Sequence, residues 1–257
     1  MITFEEAFRI VTESSFRMGR EVVSLAEAAG RALTLPVRSD MDMPPWNKSA
    51  VDGYACRHTD LGHDLTVLET IAAGVLPRKE VVPGTCSRIM TGAAVPAGAD
   101  YVFMLENSEA LPDGRVRFTG KPGSDNIARA GEDMMKDQTV LRPGRYLKPQ
   151  DIAVMASVGA TEVTVSCRPR VGVISTGDEL VEPDSVPSGA QIRNSNASQL
   201  MAQIARAGAK GKYYGIARDN VESVTTLLKK ALEECDVVLI SGGVSFGDFD
   251  LVPGVMR

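Results

Sequence analysis

Three short apolar runs, "RVGVIS", "KYYGIA" and "DVVLIS", follow Pro169 and are separated by two segments with helical spacing. That order leaves few folds open. The first separator, "NASQLMAQIARAG", sets Leu200, Met201, Ile204 and Ala205 inward and offers Gly208 as its stop. The second, "NVESVTTLLKKALEEC", repeats Val221, Val224, Leu228, Ala231 and Leu232 at the same period. Strands alternating with helices predict a parallel α/β sheet with right-handed crossovers.

The preceding sequence has a different texture. Thr3 and Glu6 form a capping box ahead of a helix with Phe4, Phe8 and Val11 on one face. A second box, Ser24 with Glu27, opens "SLAEAAG", which Gly30 can close. From residue 37 to 137 short apolar runs are broken by "MPPW", "VPGT", "VPAGAD", "LPDGR" and "KPGS", the punctuation of a small all-β module. Residues 138–167 read as a mixed connecting piece. A chain of 257 residues is long enough for more than one such unit.

Composition excludes several classes. The net charge is −5, and no basic stripe or Lys/Arg run interleaved with aromatics suggests a nucleic-acid partner. Cys56, Cys86, Cys167 and Cys235 are widely spaced without a C-x-x-C pair, which favours buried or free thiols over a zinc site. The start, "MITFEEAF", lacks the pattern of a signal peptide, and no apolar run reaches the ~18 residues of a membrane span. A cytoplasmic protein without a membrane partner is expected.

In a parallel sheet of this kind, ligands bind beyond the carboxyl ends of the strands. Three segments belong there: "STGDEL" at 175–180, "ARDN" at 217–220 and "SGGVSFGDFD" at 241–250. They supply Thr176, Asp178, Glu179, Asp219, Asp248 and Asp250, with Gly177, Gly242, Gly243 and Gly247. Glycines let backbone N–H groups approach an oxyanion, and hard carboxylates hold Mg²⁺. Taken singly, Asp219 could cap the following helix and Gly242–Gly243 could be a plain turn. Together the segments predict a site for a phosphate-bearing anion with a divalent metal. The absence of a Walker-type loop and of G-x-G-x-x-G disfavours an ordinary ATPase or dinucleotide enzyme.

"PRVGVISTGDEL", "IRNSN", "ARDN" and "SGGVSFGDFD" resemble the molybdopterin molybdenumtransferases, the MoeA family that includes the E domain of gephyrin. The likeness continues through "PPWNKSAVDGYA" (44–55), "RIMTGAAVPAGAD" (88–100) and "NIARAGEDM" (126–134), and so covers essentially the whole chain. It implies a multi-domain α/β plus β fold. The α/β domain would take residues 1–17 and 168–257, a linker domain 18–36 and 138–167, and an inserted β domain 37–137. The implied reaction inserts molybdate into adenylylated molybdopterin and releases AMP, with Mg²⁺ as cofactor. By position in the motifs, Asp52, Thr91, Asp133, Glu179, Asp219 and Asp250 would be catalytic. Thr176, Gly177, Asp178, Gly242, Gly243, Ser245 and Gly247 would bind substrate, and Asp219 and Asp250 the metal. A homodimer is implied, in which Asp52, Thr91 and Asp133 of one subunit face Glu179, Asp219 and Asp250 of the other. Contacts with other enzymes of molybdenum-cofactor biosynthesis are a further implication.

Two departures stand out. The family usually reads Phe-Asp-Asn-Ser-Ala-Met before "DGYA", where this chain has Trp46, Asn47, Lys48, Ser49, Ala50 and Val51. One carboxylate is lost there and one cation gained. Family members also continue past "GGVSFGDFD" through a lysine-bearing "KPGKP" segment and a β-barrel. The chain is therefore expected to be a fragment that inserts molybdate poorly. Two alternatives are a molybdopterin adenylyltransferase-like enzyme, which lacks the β insert, and a non-catalytic dimeric scaffold.

Overall fold

A computed structural model describes residues 2–243 and 251–256. The fold is mixed α/β and divides into two compact units. One comprises residues 36–142 and 150–161, the other residues 1–35, 143–149 and 162–257.

Helix α1, Phe4–Glu13, belongs to the second unit; Thr3 caps it by accepting the Glu6 N–H at 3.2 Å. Its apolar face is uncovered among the described residues, with Phe4, Phe8 and Val11 all exposed. The segment opened by Ser24 and Glu27 is a single 3₁₀ turn, Leu25–Glu27, rather than a longer helix. Gly30 ends it with a left-handed φ of 75°.

The first unit is built on a six-stranded sheet. Its strands are β1 (Gly53–Cys56), β2 (Asp64–Ile71), β3 (Thr85–Ile89), β4 (Tyr101–Met104), β5 (Ser108–Ala110) and β6 (Arg115–Phe118). The spatial order is β4-β1-β3-β2-β6-β5, antiparallel except for the parallel pair β2–β3. Side chains alternate across a strand, so a sheet covered on both faces needs apolar residues at every position. β1 shows this: Tyr54 and Cys56 enter one cluster with Leu65, Cys86 and Phe103, while Ala55 enters another with Ile71, Ile89 and Val102. A register irregularity between Val67 and Thr70 in β2 moves Ile71 to the face opposite Leu65. Helix α2, Pro149–Ser157, completes this part of the chain.

The second unit holds the α/β core. β7 (Arg170–Thr176), α3 (Ser195–Arg206), β8 (Lys210–Ala217), α4 (Val221–Glu234) and β9 (Val237–Ser241) follow in order. The sheet is β8-β7-β9, parallel throughout. Helix α3 packs Ala197 and Ile204 against Val171 and Val173, while α4 packs Val224, Leu228 and Ala231 against Ile174. The helices thus cover opposite faces, as right-handed crossovers to opposite sides of β7 require.

The helical faces are narrower than the sequence spacing suggests. Ala205 is exposed, and Ala197 instead joins Leu200, Met201 and Ile204 on the inward face. Val221 and Leu232 are exposed at the two ends of α4. A helix tangent to a three-stranded sheet buries only the turns directly over it, so terminal apolar positions stay outside. Among the described residues, no helix is long and apolar enough to cross a membrane. The four cysteines are free, with Cys56 and Cys86 buried directly opposite one another on β1 and β3.

Two positions on this framework give opposite mutational expectations. A Cβ at Gly53 would overlap the Phe103 carbonyl across the β1–β4 ladder. Ser87 is fully buried on β3, and its hydroxyl has no hydrogen-bond partner among the described residues. Gly53→Ala should lower urea-unfolding stability by roughly 3 kcal/mol or more, because backbone must move. Ser87→Ala should be neutral or stabilising by up to about 1 kcal/mol, since it removes an unsatisfied polar group. A destabilising Ser87→Ala would show that the hydroxyl has a partner.

Candidate functional site

The end of β7 organises the first group of residues. Ser175 and Thr176 finish the strand inside the sheet, and both are buried. Thr176 pairs with Ala217 at the end of β8, and Ser175 with Ser241 at the end of β9. The described starts of the three segments expected at one sheet edge are therefore brought together there. β7 leads to β8 on one side, and the chain then crosses to β9 on the other. Such a reversal of strand order is where open α/β sheets bind ligands.

The Thr176 hydroxyl is buried with no hydrogen-bond partner among the described residues. Gly242 and Gly243 pack directly against it, and both have left-handed φ values, 93° and 62°. A Cβ on Gly243 would lie 2.7 Å from Thr176 Oγ1, and one on Gly242 would overlap the Thr176 carbonyl. Both glycines are thus required twice, by backbone conformation and by close approach.

The acidic groups of the next two loops interlock. The Asp178 N–H donates to Asp219 Oδ2 at 3.2 Å, and the Asp219 N–H donates to Asp178 Oδ1 at 3.4 Å. Asp219 does not cap α4. That role falls to Asn220, whose side chain accepts the Ser223 N–H at 2.9 Å. Arg218 sits over the pair, donating to the Asp178 carbonyl at 3.3 Å with its guanidinium 3.9 Å from Asp178 Oδ1. Both side chains are well exposed, so this ion pair contributes little stability and mainly sets local charge. Gly177 donates its N–H to the Ala217 carbonyl at 3.2 Å. Glu179 holds the Ile192 N–H through its own carbonyl, leaving its carboxylate free of hydrogen bonds among the described residues.

Among the described residues, no group of three His, Cys, Asp or Glu side chains is arranged to hold a metal ion. Asp178 and Asp219 are oxygen donors of the hardness that Mg²⁺ prefers, and they meet as a pair. Ser245, Gly247, Asp248 and Asp250 lie outside the described residues.

The other unit carries the remaining sequence candidates. Asp52 precedes β1, and its Oδ1 accepts both the Thr91 N–H and the Thr91 hydroxyl, each at 2.7 Å. These two hydrogen bonds hold the Asp52 carboxyl below the usual aspartate range, with a smaller contribution from the Arg88 charge. Thr91 is fixed from behind by Gly92, whose N–H donates to the Ser49 carbonyl at 2.8 Å. Asp133 is tied by its backbone N–H to the Met43 carbonyl at 2.9 Å. Its exposed carboxylate contacts neither Asp52 nor Thr91 through a hydrogen bond. Asn47, one of the departures from the family pattern, accepts the Ala130 N–H at 3.0 Å and so braces the segment leading to Asp133.

Three contributors escaped the sequence reading. Arg218 lay within a quoted motif, "ARDN", but only its acid drew notice. Arg88 lay within "RIMTGA". Asn194, in "IRNSN", caps α3 by accepting the Ala197 N–H at 3.2 Å while buried behind Ser175. The signal for it was an asparagine at a strand-to-helix junction.

Residues 2–159 match the family model described as MoeA N-terminal region (domain I and II). Residues 172–257 match one described as Probable molybdopterin binding domain. The chain is 36% identical to a molybdopterin molybdenumtransferase of Nostoc sp., over 97% of this chain and 59% of the relative. It is 34% identical to a molybdopterin molybdenumtransferase of Bacillus subtilis, over 99% of this chain and 62% of that protein. The crystal structure of a molybdopterin biosynthesis moeA protein from Pyrococcus horikoshii aligns with a TM-score of 0.85 at 33% identity, over 94% of this chain and 66% of that one. The chain thus spans about six tenths of the length of the curated relatives it matches.

The Asp52–Thr91 pair has a measurable signature. Thr91→Ala should raise the Asp52 pKa toward the usual carboxylate range, as followed by carboxyl NMR titration. Because the folded pKa is depressed, the stabilisation is present above the ordinary aspartate value of ~3.9 and is lost as pH falls through the lower folded value. The variant keeps the backbone N–H at position 91, so an Asp52 pKa unchanged by Thr91→Ala would mean that the Thr91 hydroxyl bond to Asp52 is not made in solution.

Proposed function

We propose, starting from the fact that the chain belongs to the MoeA family, that it contributes to molybdenum-cofactor biosynthesis as a molybdopterin molybdenumtransferase. The substrates would be adenylylated molybdopterin and molybdate, and AMP the released product. The observation that carries this reading is the meeting of "STGDEL", "ARDN" and the Gly242–Gly243 turn at the carboxyl ends of three parallel strands.

In this reading the Thr176 hydroxyl and the backbone of Gly177, Gly242 and Gly243 receive the anionic phosphate part of the substrate, and the family motif adds Ser245 and Gly247 to the substrate-binding set. Asp178 and Glu179 orient polar groups from the adjacent loop. Mg²⁺ would be held by Asp219 with Asp250, and when bound it would neutralise phosphate charge and polarise the phosphoryl oxygens. Arg218 supplies a fixed cation beside acidic loops that would otherwise repel an anion. Asp52, Thr91 and Asp133 form a second polar set on the other unit. Asp52, kept ionised by Thr91 at neutral pH, acts there as a hydrogen-bond acceptor and fixed charge rather than as a proton donor.

A homodimer fits the same family reading, and a sedimentation mass of twice the chain at micromolar concentration is the expected result; the mass of one chain would overturn it. The adenylyltransferase and scaffold alternatives are not favoured, because the family matches extend through both residues 2–159 and 172–257.

The decisive experiment pairs binding with turnover. Calorimetric titration with AMP should show Mg²⁺-dependent binding that weakens by roughly tenfold or more in Asp219→Ala, the scale of losing a hydrogen bond to a charged partner. The variant's melting temperature should hold, because Asp219 is only partly buried and α4 keeps its Asn220 cap. AMP release from adenylylated molybdopterin with Mg²⁺ and molybdate should fall in parallel. Equal Mg²⁺-dependent affinity in both proteins would remove Asp219 from the site.

A further inference from the structure

Both ends of the loop carrying Thr176, Gly177, Asp178 and Glu179 are gripped by one hydrogen-bond chain, buried at the Ser175 end and partly buried at the Glu182 end. At the start, Ser175 donates its hydroxyl to Asn194 Oδ1 at 3.2 Å. Asn194 Nδ2 donates to the Tyr213 hydroxyl on β8 at 2.8 Å. The Tyr213 hydroxyl then donates to Glu182 Oε1 at 3.0 Å, just past the far end of the loop. Every donor in this series points one way. Asn194 Oδ1 also accepts the Ala197 N–H, which fixes which end of the amide faces Ser175.

Its location sets this chain apart from ordinary core polarity. Ser175 and Asn194 are buried, at 0% and 2% exposure, and the Tyr213 ring packs beside Val173 and Ile204. The Gly177 N–H ties the start of the loop to the Ala217 carbonyl, and its far half is held by the Ile192 N–H to the Glu179 carbonyl at 2.8 Å and the Asn194 N–H to the Val181 carbonyl at 2.9 Å. The latter two run to the short segment that ends at Asn194. Releasing Asn194 or Glu182 would therefore loosen the far half of the loop and the short strand paired with it, Ile192–Arg193, together.

We infer that Asn194, Tyr213 and Glu182 are positioning residues that hold the Thr176–Glu179 loop in the geometry its ligand requires. They touch no ligand themselves and act through Ser175 and the loop backbone. The inference rests on the proposed anion site, since a loop that binds nothing has no geometry to keep. The chain of donors persists at any physiological pH, because burial and the Glu182 contact push the Tyr213 hydroxyl up to about 12. The charged group that bears on it is Glu182.

The test separates positioning from bulk stability. Tyr213→Phe keeps the ring in its pocket and deletes the link; Glu182→Gln keeps an acceptor for the tyrosine; Glu182→Ala does not. Hydrogen exchange of the amides of Asp178, Leu180, Ile192 and Asn194 should quicken roughly fivefold or more in Tyr213→Phe and Glu182→Ala. It should return to near the unmodified rate in Glu182→Gln. Affinity for AMP with Mg²⁺ should follow the same order. Unchanged loop exchange in both Tyr213→Phe and Glu182→Ala would overturn the inference, even if their melting temperatures fall. Equal loosening in Glu182→Gln and Glu182→Ala would overturn the role given to the Tyr213–Glu182 link. If the unmodified chain binds no AMP, the ligand reading fails by itself, and the exchange pattern still decides whether the chain of donors holds the loop.

Discussion

The second unit depends on β7 being a strand with neighbours on both sides and helices on both faces. Such a strand can expose nothing, and positions 171–176 are accordingly buried through to Thr176. Parallel pairing makes the three strands finish at the same edge, because Ser175 lies level with Ser241 and Thr176 with Ala217. The chemistry of the edge follows from that register. Any polar group immediately after a β7 residue must emerge beside the ends of β8 and β9, and those loops carry Asp219 and the Gly242–Gly243 turn.

The other unit repeats the device with different pieces. β1 is also central, lying between β3 and β4, and it too is buried along its whole length. Its first residue must be glycine because the Phe103 carbonyl occupies the space of a side chain. Asp52, one position earlier, is therefore anchored by a strand that cannot shift, and its carboxylate is aimed at the Thr91 turn. Each unit thus sets a polar functional group at the end of its most constrained strand. Precision costs little there, because the core has already fixed the backbone.

The α/β order was legible in the sequence because period and punctuation agree: β7, β8 and β9 fall where the apolar runs lie, and Gly208 follows α3 where a stop is needed. Exposed ends of helices were not legible. Ala205, Val221 and Leu232 satisfy helical spacing, but whether a turn lies over the sheet depends on strand count, which spacing does not encode. Long-range pairings were equally hidden. Nothing local announces that Cys56 will face Cys86, or that Asp52 will accept two hydrogen bonds from Thr91. At the site, the motif residues of "STGDEL" and "ARDN" were visible as acids and glycines. The division of labour among them was not, because a carboxylate and an amide at adjacent positions compete for one cap, and only geometry decides the winner.

That competition explains much of the local electrostatics. Had Asp219 capped α4, its carboxylate would have been committed to the helix N-terminus, and its charge offset by the N–H dipoles there. Asn220 takes the cap instead, and a neutral amide serves the helix equally well. Asn194 does the same for α3. Both helices bordering the site are thus capped by asparagine, which leaves the carboxylates of Asp178 and Asp219 uncommitted to helix ends. These two meet through backbone N–H groups, which partly offset the repulsion between like charges without neutralising either. Two adjacent carboxylates held apart from any helix cap, with one arginine alongside, leave an excess of negative charge at the strand ends, which is the arrangement the proposed Mg²⁺-bearing ligand calls for. The asparagine caps are what keep that charge in place.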